Sequence, residues 1–268
     1  MNTRLMRVAA MMCAAAGSAL AGCANAQAGQ GVAARVAAAP DGEVWMSFAS
    51  RPGVCGSENS ISTNARSDRR TVITSDGDAW ECLEGPVWVA LVKRDGRVER
   101  VRTRIARPWS TEGRGRVTNL GAVGARDASE YLLSLAERGP EGRVGEEAIL
   151  PATLADSVTT WPALVRIARN DGRPQQTRRS AVFWLSQQAG DRITRELSDF
   201  VNDGDEDREL RKHAVFALSQ RPRDESIPEL LRIARNHRDP EIRKQAMFWL
   251  GQSNDPRAVA LFEEILRN

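Results

Sequence analysis

Arg178-Arg179-Ser180-Ala181-Val182-Phe183-Trp184-Leu185-Ser186-Gln187 recurs as Arg211-Lys212-His213-Ala214-Val215-Phe216-Ala217-Leu218-Ser219-Gln220, and again as Arg243-Lys244-Gln245-Ala246-Met247-Phe248-Trp249-Leu250-Gly251-Gln252. The shared pattern is R-[RK]-x-A-x-F-x-L-x-Q. Its alanines stand 33 and then 32 residues apart, the period of a stacked two-helix unit and far longer than a coiled-coil heptad. Working outward, Trp161-Pro162-Ala163-Leu164-Val165-Arg166-Ile167-Ala168-Arg169-Asn170 returns as Ile227-Pro228-Glu229-Leu230-Leu231-Arg232-Ile233-Ala234-Arg235-Asn236, 66 residues on, which is two periods. Upstream, Glu146-Glu147-Ala148-Ile149-Leu150 falls in register with Ala181 but has lost the arginines and gained Pro151, as a degenerate first copy would.

Each unit reads as a helix carrying the A-x-F-x-L pattern followed by a second amphipathic helix, such as Ala258 to Leu266. At about 100° per residue, Ala181, Trp184 and Leu185 share one side while Phe183 points nearly opposite. A helix apolar front and back is expected to be enclosed by its neighbours, with Ala, Phe, Trp and Leu all holding the stack together. Helix openings are expected at a capping box, Asp127-Ala128-Ser129-Glu130, at Ser226-Ile227-Pro228-Glu229, and at Asp239-Pro240 and Asp255-Pro256.

From about Asp127 to Asn268 these residues resemble the HEAT-repeat superfamily, in particular the short bacterial HEAT-like repeats of the phycobilisome-lyase class. The resemblance implies a right-handed α-solenoid whose second helices line a concave, protein-binding surface. Some relatives of that class handle bilins or modify partner residues, but the chain holds no H-E-x-x-H, G-x-S-x-G or Walker-type loop. No cofactor, metal or enzymatic activity is expected.

The N-terminus reads as a secretory signal over residues 1–22. Arg4 and Arg7 precede a small apolar run from Val8 to Leu20, and Leu20-Ala21-Gly22-Cys23 follows directly. That tetrapeptide resembles a bacterial lipobox, which would make Cys23 the lipid-modified N-terminus of a bacterial HEAT-repeat lipoprotein in the cell envelope, facing the periplasm. Cleavage after Ala24-Asn25-Ala26 is the alternative. With Cys13 in the signal and Cys23 on lipid, Cys55 and Cys82 remain as a pair, read as a structural disulfide with a reactive or metal-binding thiol as the alternative. Residues 23–42 are expected to be a flexible tether.

Residues 43–120 read as a small β-rich module. Val87 to Val92, the turn Lys93-Arg94-Asp95-Gly96 and Val98 to Ile105 predict a hairpin whose positive-φ positions are Asp-Gly. The outgoing strand is apolar on both faces and belongs inside a sheet. On the return strand Arg100, Arg102 and Arg104 alternate with Val101, Thr103 and Ile105. The expected fold class is thus α+β, a disulfide-bonded β module followed by an α-solenoid over residues 127–268.

Charge adds little to this. The net charge of +3 falls to +1 once Arg4 and Arg7 are removed, and 35 of the 38 basic residues are arginine, which reads as genome composition and makes no case for nucleic acid. The local exception lies between Lys93 and Arg116, where nine basic residues face three acids. Arg100, Arg102 and Arg104, with Arg232 and Arg235 on a second helix, are the candidate partner-contacting residues. A solvated face is the alternative, and anionic lipid or an acidic partner is what such a face would meet. The ladder of Arg178, Arg211 and Arg243 is expected to pair with acids of adjacent repeats, such as Glu209 and Glu241. Asp203 to Asp207 departs from a calcium loop, having its glycine misplaced and Ala214 at the twelfth position. His213 is expected to face solvent and His237 to lie in a loop. The function these features support is a membrane-anchored adaptor that binds another protein through the solenoid; the alternative is an enzyme or small-ligand carrier with a site between the β module and the solenoid.

Overall fold

Asp95 and Gly96 both take positive φ, 47° and 73°, which gives the two-residue turn the twist needed to join β7 (Val87–Arg94) to β8 (Arg97–Ile105). β7 is apolar on both faces because it is flanked on both sides: the sheet order is β8-β7-β1-β9, with β1 (Gly42–Phe48) antiparallel to β7 and parallel to β9 (Val117–Ala122). The computed structural model describes residues 31–57, 60–63, 71–73, 79–139 and 142–267. The expected signal, lipobox and Cys23 lie outside them.

Beside this sheet stand a three-stranded one, β3-β2-β6 (Ile61–Ser62, Cys55–Gly56, Leu83–Glu84), and the hairpin β4-β5 (Thr71–Ile73, Ala79–Glu81). Cys55 on β2 is disulfide-bonded to Cys82 across a separation of 27 residues, with a Cα–Cα distance of 5.2 Å. Closing a loop of that length stabilises the fold by about 3 kcal/mol through the unfolded chain.

The tether expected over residues 23–42 is in part a helix, α1 (Val32–Ala38), with Val32 and Val36 buried in the core. What fixes it is a lysine that looks, by sequence, like a turn residue. Lys93 is only 4% exposed. Its Nζ donates to the carbonyls of Val36, Ala37 and Ala39 at 3.1, 2.7 and 2.6 Å. A helix C-terminus leaves its last carbonyls without donors and carries partial negative charge, so one ammonium satisfies both needs.

Nine further helices follow among the described residues. The first helices of the repeat are α3 (Val144–Thr153), α5 (Gln175–Ser186), α7 (Arg208–Ser219) and α9 (Pro240–Gln252). They form one layer. The second layer is α2 (Ala125–Arg138), α4 (Trp161–Arg169), α6 (Asp191–Asn202), α8 (Arg223–Asn236) and α10 (Pro256–Arg267). First helices pack more closely on one another than second helices do. Ala148, Ala181, Ala214 and Ala246, all fully buried, mark the line of approach.

Two helix openings differ from expectation. α2 starts at Ala125 with Gly124 as its cap, so Asp127 lies in the first turn and caps nothing by its side chain; its charge still favours a helix N-terminus. α8 starts at Arg223, a turn before Ser226. Asp224 and Glu225 in the first turn make that extension favourable, and Ser226 is buried while the ring of Pro228 lies on the exposed side. Asp239 caps α9 as expected, accepting from Glu241 N–H.

The sheet and the helices share one hydrophobic core. After β1 the chain pairs with the end of α3: Arg51 N–H donates to Leu154 O at 2.8 Å and Asp156 N–H to Ala49 O at 3.0 Å. Glu147 on α3 accepts from Arg100 Nε at 3.0 Å and from the Val101 amide at 2.9 Å. Replacing Lys93 by Met is expected to lower stability by roughly 3 kcal/mol, since three buried carbonyls lose their donor. Hydrogen exchange should locate the loss at Val32–Ala38 and the β1–β7 ladder, with the α7 and α9 amides protected as before.

Candidate functional site

The conserved spacing of the three copies places two sets of side chains on two different sides of the first helices. One set locks the stack. Arg178 is buried, donates from Nε to Ala168 O at the end of α4 (2.8 Å), and holds Glu206 of the next repeat at 2.5 Å. Arg211 meets Asp239, again 28 residues downstream, at 3.5 Å. Arg243 donates to His237 O at the end of α8 at 2.7 Å. The pairing between repeats is therefore as expected, but the acids are Glu206 and Asp239, which stand just before the next first helix. Glu209 pairs within its own helix, with Lys212 at 3.0 Å.

The acidic run of Asp203 to Asp207 is consumed by the same function. Asp203 pairs with Arg169 at 3.0 Å, Glu206 with Arg178, and Asp207 caps α7 through the Glu209 and Leu210 amides. Those amide bonds, chiefly that from Leu210, hold the Asp207 carboxyl below the usual aspartate range. His237 is the C-cap of α8 and is buried. Its Nε2 lies 3.1 Å from Val201 O, and its Nδ1 accepts from Asp239 N–H at 3.1 Å.

The other set lies on the outer side of these helices, half-buried except for Phe248. Trp184, Phe183, Phe216, Trp249 and Phe248 form an unbroken aromatic ridge across α5, α7 and α9, with successive ring centroids 5.1, 6.3, 5.1 and 5.0 Å apart. Phe183 and Phe216 are half-buried and stacked within 9° of parallel; Phe248 is 53% exposed. The expectation that Phe is enclosed within the stack is thus corrected: Ala181, Val182 and Leu185 face inward, and phenylalanine rises from the other side. Four residues before each Phe stands a cation, Arg179, Lys212 or Lys244. Four residues after it stands Gln187, Gln220 or Gln252. At helical spacing these form three parallel columns, cationic, aromatic and amide, running across the first-helix layer. Such a face can accept carboxylates, apolar side chains and peptide groups from one extended segment.

His213 leans on this ridge, its ring 5.5 Å from that of Phe216. It is half-buried, not solvent-facing as expected, and burial, together with the charge of Arg179, lowers its pKa from 6.5.

The five arginines named from sequence occupy two separate surfaces. Arg100 is held by Glu147, and Arg102 by Glu43 at 2.6 Å. Arg104 lies over Trp109, 5.7 Å from its centroid. On α8, Arg232 pairs with Glu229 at 2.5 Å and Arg235 with Glu264 at 2.8 Å. α8 packs on other helices, and the sheet meets α3, so the two groups are not brought together. At the junction of sheet and helices there is an open depression of 680 Å³, with Arg51, Glu84 and Asp156 on its walls. Arg51 is engaged there with Thr153 O.

Residues 194–268 match the family model described as HEAT repeats. The match takes in the helices from within α6 to α10 and supports reading the helical array as HEAT-like. No curated protein and no solved structure gives a significant match to the chain. HEAT repeats are protein-interaction scaffolds, presenting extended surfaces built by stacking. In this array the open aromatic and cationic columns lie on the first helices, within and just ahead of the matched region.

Because the folded-state pKa of His213 is depressed, the unfolded chain takes up a proton first as pH falls below 6.5, and stability is lost progressively toward the lower folded value. The melting temperature of the wild type should therefore fall more between about pH 7.5 and pH 5.5 than that of His213→Gln, the residue found at the equivalent position 245. Equal slopes for the two proteins would remove His213 as the cause.

Proposed function

We propose that the chain is an exported, lipid-anchored adaptor that binds another protein across the first-helix face of its HEAT array. The observation supporting this is the continuous ridge from Trp184 to Phe248, bordered on one side by three cations and on the other by three glutamines. Aromatic and basic side chains carry most of the energy in protein interfaces, and an apolar ridge with polar borders has the composition of an interface core with its rim. No catalytic role is assigned to the face.

Export and anchoring rest on Arg4, Arg7, the apolar run and Leu20-Ala21-Gly22-Cys23. They place the disulfide of Cys55 and Cys82 in an oxidising compartment, where such a bond persists. Attachment is assigned to lipid on Cys23 because that cysteine closes the lipobox-like tetrapeptide; among the described residues no helix is long and apolar enough to cross a membrane.

Two measurements test the reading. Mass spectrometry of the mature protein is expected to find its N-terminus at Cys23 with the added mass of lipid; an unmodified start at Gln27 would remove the anchor. In native cells, a photo-crosslinker at Lys244 should capture a specific protein, and Phe248→Asp should reduce capture by about tenfold or more, the usual consequence of losing one interface anchor. Leu266→Asp, which changes a still more exposed apolar residue away from the ridge, should leave capture unchanged. Equal capture by both variants would dissociate the ridge from binding.

A further inference from the structure

The β module has its own cavity, on a different part of the molecule from the aromatic ridge. It measures 560 Å³ and lies where β8 ends, with Leu83, Ile105 and Trp109 on its apolar side and Arg104, Arg107 and Glu81 among its polar groups. That volume suits a small organic molecule.

An unusual backbone builds it. Ala106 has φ of 67°, and the Arg107 amide donates to Ile105 O at 2.8 Å. A hydrogen bond from residue i+2 back to residue i around a positive φ is the rarer, strained form of γ-turn. The neighbouring chain is shaped to permit it. A Cβ on Gly85 would stand 2.7 Å from the Ala106 Cα, and the Ala106 amide donates to Pro86 O at 2.9 Å. In a regular strand residues 104 and 107 would point to opposite faces. The turn cancels that alternation, and both guanidinium-bearing side chains line one cavity.

The wall behind them is tied together by one shared acid. Glu43 is shared by Arg102 at 2.6 Å and Arg114 at 2.8 Å, and it accepts from Trp45 Nε1 at 2.8 Å. Arg102 and Arg104 both lie over Trp109, which packs on Trp45 with centroids 5.8 Å apart. One carboxylate thus serves two guanidiniums. Among the described residues Arg107 has no acid partner. Arg104 and Arg107 line the cavity together, and Glu81 is the one acid among its described lining residues. Guanidinium forks bind phosphate with paired hydrogen bonds, and two of them line this cavity.

We propose that this cavity binds a phosphate group attached to an apolar body, with Arg107 and Arg104 on the phosphate and Leu83, Ile105 and Trp109 against the apolar part. A soluble phosphomonoester or a phospholipid headgroup would present the same chemistry. The site does not depend on what the HEAT array binds.

The test uses the full chain carrying Cys23→Ser, so that no lipid on that residue contributes. Titration calorimetry with n-hexyl phosphate is expected to show saturable one-to-one binding. Arg107→Gln should weaken it by about tenfold, the loss of one charge-assisted contact, and Arg107→Glu by more. Arg97→Glu, an exposed change on the far turn of the hairpin, should alter it less than about twofold. Co-sedimentation with phosphatidylcholine vesicles, with and without phosphatidic acid, separates the sources: vesicle binding that requires phosphatidic acid and is lost in Arg107→Glu assigns the headgroup, and hexyl phosphate binding without it assigns a soluble ligand. Absence of hexyl phosphate binding, or equal weakening by Arg97→Glu and Arg107→Glu, would overturn the site.

Discussion

The array depends on the close approach of its first helices along the column Ala148, Ala181, Ala214 and Ala246. None of these methyl groups is exposed, and a larger side chain at the position would force the first helices apart. Close approach along one side of a helix has a consequence on the other. The residue two positions on, Leu150, Phe183, Phe216 or Phe248, is turned away from the contact, and adjacent helices then carry their rings near enough to touch. The aromatic ridge is thus produced by the same spacing that packs the core. Aromatic pairs of this kind contribute about 0.5–1.5 kcal/mol each beyond area burial, so the ridge stabilises the stack while leaving ring edges for a partner.

Arginine in this protein caps helix C-termini by donating to their free carbonyls. Few of the helices have a side-chain N-cap, Asp207 and Asp239 being the two on the first helices. The C-terminal ends are satisfied from a distance. Arg178 reaches Ala168 O, Arg243 reaches His237 O, and Arg221, buried, donates to the carbonyls of Ser186, Gln188 and Gly190 while Glu225 neutralises it at 2.8 Å. Each such residue ties the end of one helix to a later one, so the register of the array is set by hydrogen-bond geometry as well as by packing. A guanidinium serves this better than an ammonium because its five donors lie in a fixed plane. The single buried lysine, Lys93, occupies a site that converges three carbonyls on a point, the geometry an ammonium satisfies.

The period was legible because it is a property of the chain alone: the copies align without gaps over ten residues, and the fold class, the hairpin turn at Asp95-Gly96, the interior position of β7 and the disulfide follow from local chemistry. What could not be read depended on distant partners. Val32 to Ala38 is composed of residues that form a helix only when something accepts its apolar side and caps its end; the cap is Lys93 on β7 and the packing partner is α2, both more than fifty residues away. Glu206 and Asp239 were missed as partners of the ladder because the reach of an arginine across a repeat is set by the superhelix, which one helical wheel does not contain. The wheel puts the phenylalanines opposite alanine, but hydrophobicity alone does not decide enclosure, because a partly exposed apolar ridge has the same pattern as a buried one. The γ-turn at Ala106 had no sequence signal, since alanine is an unusual residue for positive φ.

A stack of repeats needs a different surface at its ends, and here the first copy supplies one by degenerating. Position 145, where the ladder arginine would stand, is glycine; a Cβ there would fall 2.9 Å from the Thr177 methyl group. Position 146 carries an acid in place of a base, and Glu147 turns away from the array to hold Arg100 and the Val101 amide of the edge strand β8. α3 therefore has α5 on one side and β8 on the other, and the sheet occupies the place of a preceding first helix. That arrangement seals two exposed edges at once, the edge strand of a sheet and the open side of a solenoid, each of which left uncovered invites association. It also explains why the loss of the motif in the first copy is compatible with a well-packed helix: Ala148 and Ile149 keep the core contacts, and only the residues that would have faced another repeat have changed.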